Sequence, residues 1–216
     1  VGVGLAMLIA KPIGDGAAKV GDMIMWATDL QPFLMGILVS VLVGVALTLP
    51  ISSAAICAAL SLTGLAGGAA VAGCCAQMVG FAVMSFKENG VGGLVSQGIG
   101  TSMLQMGNIV KNPRIWIPPI LASAITGPLA TCVFGLQMNG APISSGMGTC
   151  GFVGQIGVYT GWVNDVASGA KDAITAMDWT GLILICFVLP AVLSWVFGQV
   201  LRKMNWIKEN DLKLPE

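Results

Sequence analysis

The sequence predicts an all-α, polytopic integral membrane protein of about five or six transmembrane helices plus two re-entrant helical hairpins. Three observations carry that prediction. Charged residues make up only 9% of the 216 positions and hydrophobic ones 56%, with a mean hydropathy of +0.87; a soluble domain carries about a quarter charged residues. Residues 30–86 run without a single Asp, Glu, Lys or Arg, several times the roughly 20 residues one helix needs to cross a bilayer. Two further segments are too apolar for solvated loops and too rich in glycine and polar groups for lipid-facing helices.

In chain order, residues 1–10 are expected to be the end of a span. The chain opens at Val1 in an apolar run reaching Lys11, without the charged leader of a signal peptide. Residues 11–29 mix Lys, Asp, Gly and apolar residues and predict an interfacial loop or amphipathic helix, so 1–32 forms a first region. A transmembrane transport-type domain is expected over 33–201. Its first span, 33–49, is closed by Pro50, with Ser52 and Ser53 able to cap the next helix. A short segment, 51–65, is expected to break at Gly67–Gly68 before a span running to Phe86. The next crossing, 115–136, is entered through Pro118–Pro119, and the last, 179–201, is stopped by Arg202 and Lys203.

Basic residues mark the cytoplasmic side. Arg202, Lys203, Lys208 and Lys213 place the tail, 202–216, in the cytoplasm. Counting back, 137–178 falls outside with one Lys against Asp165, Asp172 and Asp178, while Lys111, Arg114 and Lys87 fall inside. Lys111, Asn112 and Arg114 around Pro113 read as a cytoplasmic anchor rather than a substrate clamp. The expected topology is thus multi-pass in a membrane, with the C-terminus on its cytoplasmic side.

Composition narrows the chemistry. A net charge of zero without a basic block argues against nucleic acid. No His and no CxxC accompany Cys57, Cys74, Cys75, Cys132, Cys150 and Cys186, so they read as small buried hydrophobes rather than as a zinc or disulfide framework. Met103 and Met106 read as packing. No cofactor is expected, and no catalytic residue stands out. Small residues four apart, such as Gly64/Gly68 and Ala69/Gly73, permit close helix contact. A channel would want a ring of charges or carbonyls, and no such repeat exists. No acidic residue falls in an expected span, although Asp15, Asp22 and Asp29 could line an outer vestibule.

The two interruptions are 89–113 and 140–162. Irregular backbone at membrane depth survives only where protein buries it or it lines a cavity, and paired broken helices point to a transporter's binding site. A neutral polyol wants neutral donors and acceptors. Gln97, Thr101, Ser102, Gln105 and Asn108 supply these in the first hairpin, and Ser144, Ser145, Thr149 and Gln155 in the second. Gly151, Gly154, Gly157 and Gly161 allow close approach of a ligand or helix. The plainer alternative is a pair of interfacial loops with polar residues facing water.

The stretches Gly98-Ile-Gly-Thr-Ser-Met-Leu-Gln-Met-Gly-Asn-Ile-Val-Lys-Asn-Pro-Arg-Ile-Trp-Ile-Pro-Pro119, Leu121-Ala-Ser-Ala-Ile-Thr-Gly-Pro-Leu-Ala-Thr131 and Gly146-Met-Gly-Thr-Cys-Gly-Phe-Val-Gly-Gln-Ile-Gly157 resemble the enzyme IIC-like membrane proteins of the bacterial phosphotransferase system. The resemblance is to the divergent branch that includes perfringolysin-regulator-like proteins. It implies a homodimeric sugar permease with two re-entrant hairpins, served on the cytoplasmic side by a phosphorylated IIB partner. Glucose-type members bind sugar through a Glu in a Gly-Ile-Thr-Glu-Pro-like motif and through a His. Here Ala141-Pro142 has no Glu nearby and the chain has no His, so neither role maps onto a position. The leading expectation is a permease for a sugar or related small polar solute. The alternative is a membrane sensor or regulator retaining the permease fold without transport.

Overall fold

The structure, a computed structural model, describes residues 30–214 together with Lys19, Trp26 and Ala27. The expected span end at 1–10 and most of the interfacial segment lie outside the described residues. Every extended element among those described is helical, interrupted by one isolated backbone bridge between Gly64 and Met138.

Helix α1 (Pro32–Thr48) begins with proline in its first turn, where the missing N–H costs nothing. It ends because Pro50 drives Leu49 into an extended conformation. The Ser52 hydroxyl then accepts the Ala55 N–H at 3.2 Å and starts the short α2 (Ser53–Ala59). The expected break at Gly67–Gly68 is displaced: the chain turns at residues 60–63, where Ser61 has φ 49°, and α3 (Gly64–Met84) runs straight through both glycines. The pair serves helix contact instead. A Cβ on Gly68 would overlap the Leu136 carbonyl, and one on Gly67 would stand 2.9 Å from Ser145 Oγ. Helix propensity lost to glycine is about 1 kcal/mol per residue, less than the packing that close approach permits.

The chain then forms α4 (Phe86–Val95), a π turn (Ser96–Gly100), a 3-10 turn (Ser102–Gln105) and α5 (Met106–Lys111). Next come α6 (Pro113–Val133), two 3-10 turns (Pro142–Gly146 and Cys150–Phe152), α7 (Val153–Ala167) and α8 (Ala176–Lys203). A capping box between Thr175 and Asp178 starts α8. Among the described residues, three helices are long and apolar enough to cross a membrane: α3 and α6 with 21 residues each and α8 with 28. Helix α1, with 17 residues, adds a shorter apolar rod of roughly 26 Å.

Helices α1, α3 and α6 form the centre, with α8 packed on α3 and α6. Backbone meets backbone there: a Cβ on Gly73 would overlap the Ser40 carbonyl, and one on Gly127 the Gly36 carbonyl. Small residues are the means of dense packing where lipid offers no hydrophobic drive between helices. α3 is almost wholly buried, whereas α8 turns Val188, Val192, Trp195 and Val196 outward.

Candidate functional site

Both polar interruptions are broken-helix hairpins whose two ends lie together. Asn89 and Asn112, at the two ends of the first, both bond to the segment that follows α8. Asn89 Nδ2 donates to the Leu212 carbonyl at 2.8 Å, and Asn112 Nδ2 donates to the Trp206 carbonyl at 3.0 Å and to Asp211 Oδ2 at 2.7 Å. The ends of the second are joined directly, Asn139 Nδ2 donating to Asp165 Oδ2 at 2.8 Å. The first hairpin opens beside the C-terminal end of α8. The ends of the second lie near its beginning, where Trp162 packs edge-on against Trp179 with ring centroids 5.6 Å apart.

The tips meet between these bases. Thr149 Oγ1 donates to the Gly98 carbonyl at 2.5 Å, joining the 3-10 region of the second hairpin to the π turn of the first. π turns free a carbonyl from the regular ladder and recur at functional positions. The second tip is shaped by three left-handed residues within five positions: Gly148 (φ 52°), Gly151 (φ 52°) and the non-glycine Phe152 (φ 58°). A left-handed Phe costs about 1–2 kcal/mol, sustained here by packing of its ring 6.3 Å from that of Phe187.

The nine sequence-predicted residues fall into distinct groups. Gln97, Gln105 and Asn108 form a single amide chain. Gln97 Nε2 donates to Ser85 Oγ at 2.7 Å, Gln105 Nε2 to Gln97 Oε1 at 2.8 Å, and Asn108 Nδ2 to Gln105 Oε1 at 2.8 Å. Gln105 and Asn108 also donate to the Leu212 and Lys213 carbonyls at 3.0 and 2.9 Å. Thr101 is a local cap, accepting the Met103 N–H at 3.1 Å. Ser102 leaves the hairpin to meet Thr48 Oγ1 at 2.8 Å.

In the second hairpin, Ser145 Oγ donates to the Leu62 carbonyl at 2.6 Å and fixes the turn before α3. Ser144 is buried against Gly157, with its Oγ 2.8 Å from where a Cβ on that glycine would stand. Thr149 makes the tip contact. Gln155 donates from Nε2 to Cys75 Sγ at 3.2 Å, and its Oε1 is buried with no partner. An orphaned amide oxygen in such surroundings costs about 1–3 kcal/mol, so it is a natural place for a hydroxyl donor.

Sequence reasoning missed the polar centre behind Ser102. Gln77, fully buried on α3, accepts Trp116 Nε1 at 2.9 Å and the Thr48 hydroxyl at 3.4 Å, and donates to Ser123 Oγ at 3.4 Å. Ser40 Oγ donates in turn to the Ser123 carbonyl at 2.8 Å. The signal was available: Gln77 is the one amide inside an otherwise apolar helix of 21 residues, and buried polar groups in spans tend to be functional. The bonds to residues 206–213 were not foreseeable from spacing. At the surface carrying that segment, Lys87, Glu88, Arg202, Lys208, Glu209 and Asn210 help line a hollow of about 890 Å³, in which Arg202 pairs with Glu88 at 2.6 Å. At the opposite surface Gln137, Asn139, Trp162, Asp165 and Lys171 surround a smaller hollow of about 260 Å³.

All of these interior groups are neutral, and the arrangement can recognise hydroxyls without moving charge. No curated protein and no solved structure matches the chain. The family described as Phosphotransferase system, EIIC matches it over residues 1–214. The chain belongs to that family, the membrane component of the phosphotransferase system.

Proposed function

We propose that this EIIC protein binds a sugar or related small polar solute between its two hairpins and carries it across the bacterial cytoplasmic membrane. The observation that supports this best is the contact of the two tips through Thr149 and the Gly98 carbonyl, next to an orphaned buried acceptor on Gln155. In this reading 33–201 is the transport domain, and the segments 89–113 and 140–162 re-enter the membrane from opposite faces. Amides of Gln97, Gln105, Asn108 and Gln155 and hydroxyls of Thr101, Ser102, Ser144, Ser145 and Thr149 serve as the solute's partners, each exchanging one neutral hydrogen bond for another. The face bearing residues 204–214 is cytoplasmic, and there a phosphorylated IIB-type partner supplies the phosphoryl group, since the chain has no His and its Cys lie mostly in apolar segments. The working unit is a homodimer.

Uptake of labelled glucose, mannose, galactose and N-acetylglucosamine into proteoliposomes, with and without a phosphorylated IIB protein, tests the reading. Accumulation of phosphorylated sugar only with the partner is the expected result. Tight binding without uptake would favour a sensor that kept the permease fold. The lack of a His and of a Glu beside Ala141-Pro142 is what keeps that second reading in play.

A further inference from the structure

The segment after α8 does more than end the chain's membrane portion. It turns back along the first hairpin and bonds to both of its ends and to the amide chain between them. Asn89 donates to Leu212 and accepts the Leu214 N–H at 2.8 Å, Gln105 donates to Leu212, Asn108 to Lys213, and Asn112 to Trp206 and Asp211. Leu212 is fully buried in one apolar cluster with Phe81, Ile109, Ile115 and Ile207. Arg114 stacks over Trp206 at 5.3 Å. Apart from Asp211 Oδ2, the acceptors used on the segment are main-chain carbonyls, so the hydrogen-bonded part of the recognition depends on its path, while Trp206, Ile207 and Leu212 add side-chain packing.

We propose that residues 204–214 are a latch that holds the first hairpin shut and competes with the transported solute for the Gln105 and Asn108 amides. This rests on the solute-site reading given above. The hydrogen-bond exchange at these two amides is chemically even: a sugar hydroxyl accepts a hydrogen bond from an amide N–H as the Leu212 and Lys213 carbonyls do. Asn89 and Asn112 are the positioning residues, tying the latch to the two legs without belonging to the solute set. The latch also forms one wall of the 890 Å³ hollow through Lys208, Glu209 and Asn210, opposite Lys87, Glu88 and Arg202. A protein seated there touches the latch directly, which gives the partner a route to the hairpin.

Competition has a reciprocal signature, because two events that exclude each other alter one another's equilibrium by the same factor. The test uses the full chain in detergent and two measurements: hydrogen exchange of residues 204–214, and equilibrium binding of glucose, mannose, galactose and N-acetylglucosamine. The variant Asn89→Asp/Asn112→Asp removes the Nδ2 donors and keeps both acceptors, including the one that caps Arg114 N. Asn89→Ala/Asn112→Ala is the uncharged counterpart should the first fold poorly. Both are expected to raise exchange of the latch about tenfold and to tighten binding of whichever sugar binds by a similar factor, through a larger binding-competent fraction. In the unaltered protein that sugar should itself speed latch exchange. Sugar binding that is weakened by Gln105→Ala but leaves latch exchange unchanged or slowed overturns the latch alone. Binding indifferent to Gln105→Ala, or no binding of any of the four sugars to either protein, overturns the solute site and the competition with it.

Discussion

The two hairpins look alike in sequence and are held by different means. The first is joined at its base by an outside segment, residues 206–213, and along its length by side-chain amides. The second is joined at its base by its own Asn139 and Asp165 and along its length by glycines that let backbone touch backbone. A Cβ on Gly140 would overlap the Gly157 carbonyl, and one on Gly161 would come within 2.7 Å of the Asn139 nitrogen. Side-chain amides rotate and exchange partners at little net cost, because each bond lost is replaced by another worth about the same. Backbone contacts have no such freedom. The first hairpin is therefore held by bonds that can change partner and the second by contacts that cannot, with the Thr149–Gly98 bond joining them.

Substitutions separate the two modes. The largest effect is expected in the second hairpin, at Gly148. Alanine there meets a left-handed φ of 52° and stands 2.6 Å from Cys74 Cβ; the conformation alone costs about 1–2 kcal/mol, and the overlap adds to it, so the purified protein should lose several degrees of melting temperature or fail to fold. A fully stable Gly148→Ala would mean that the second hairpin is not rigidly packed.

At the base of the first hairpin, Glu88→Gln leaves the Arg202 guanidinium without its counter-charge in a pair whose side chains are only 7% and 17% exposed. A loss of about 3 kcal/mol is expected, read in thermal unfolding, with a smaller loss for the double variant that also replaces Arg202 by Met. Gln105→Ala strips donors and acceptors from the middle of the amide chain and should cost about 1–3 kcal/mol. It should also weaken sugar binding at least tenfold, measured by isothermal titration. Destabilisation without a binding change would restrict Gln105 to structure and overturn the solute site with it. The smallest change is Thr149→Val, which deletes the hydroxyl shared between the Gly98 carbonyl and Met78 Sδ and should cost about 1 kcal/mol, while altering uptake kinetics more than melting temperature.

The membrane class was legible because it depends on composition, and composition needs no neighbours. The end of α8 was nearly so, since Arg202 and Lys203 act locally, whereas α6 starts at Pro113, ahead of the expected entry at Pro118–Pro119. Gly67–Gly68 misled because a glycine pair in a helix ends it or lets a neighbour approach, and only the position of the Leu136 carbonyl decides which. In the candidate site, the polar character of positions 105 and 108 was visible, but their direction toward residues 212 and 213 depends on contacts more than a hundred residues apart in sequence.

By itself, then, the sequence determined an α-helical membrane protein with two polar interruptions and a neutral donor set, because hydropathy and residue chemistry are properties of each position. Tertiary structure alone decided that the interruptions touch at their tips, that Gln77 gathers Thr48, Trp116 and Ser123 around it, and that the segment after α8 folds back over the first hairpin. Those are pairings of neutral groups, each able to bond many partners. Which partner each one takes is set by where close-packed helices bring the backbone.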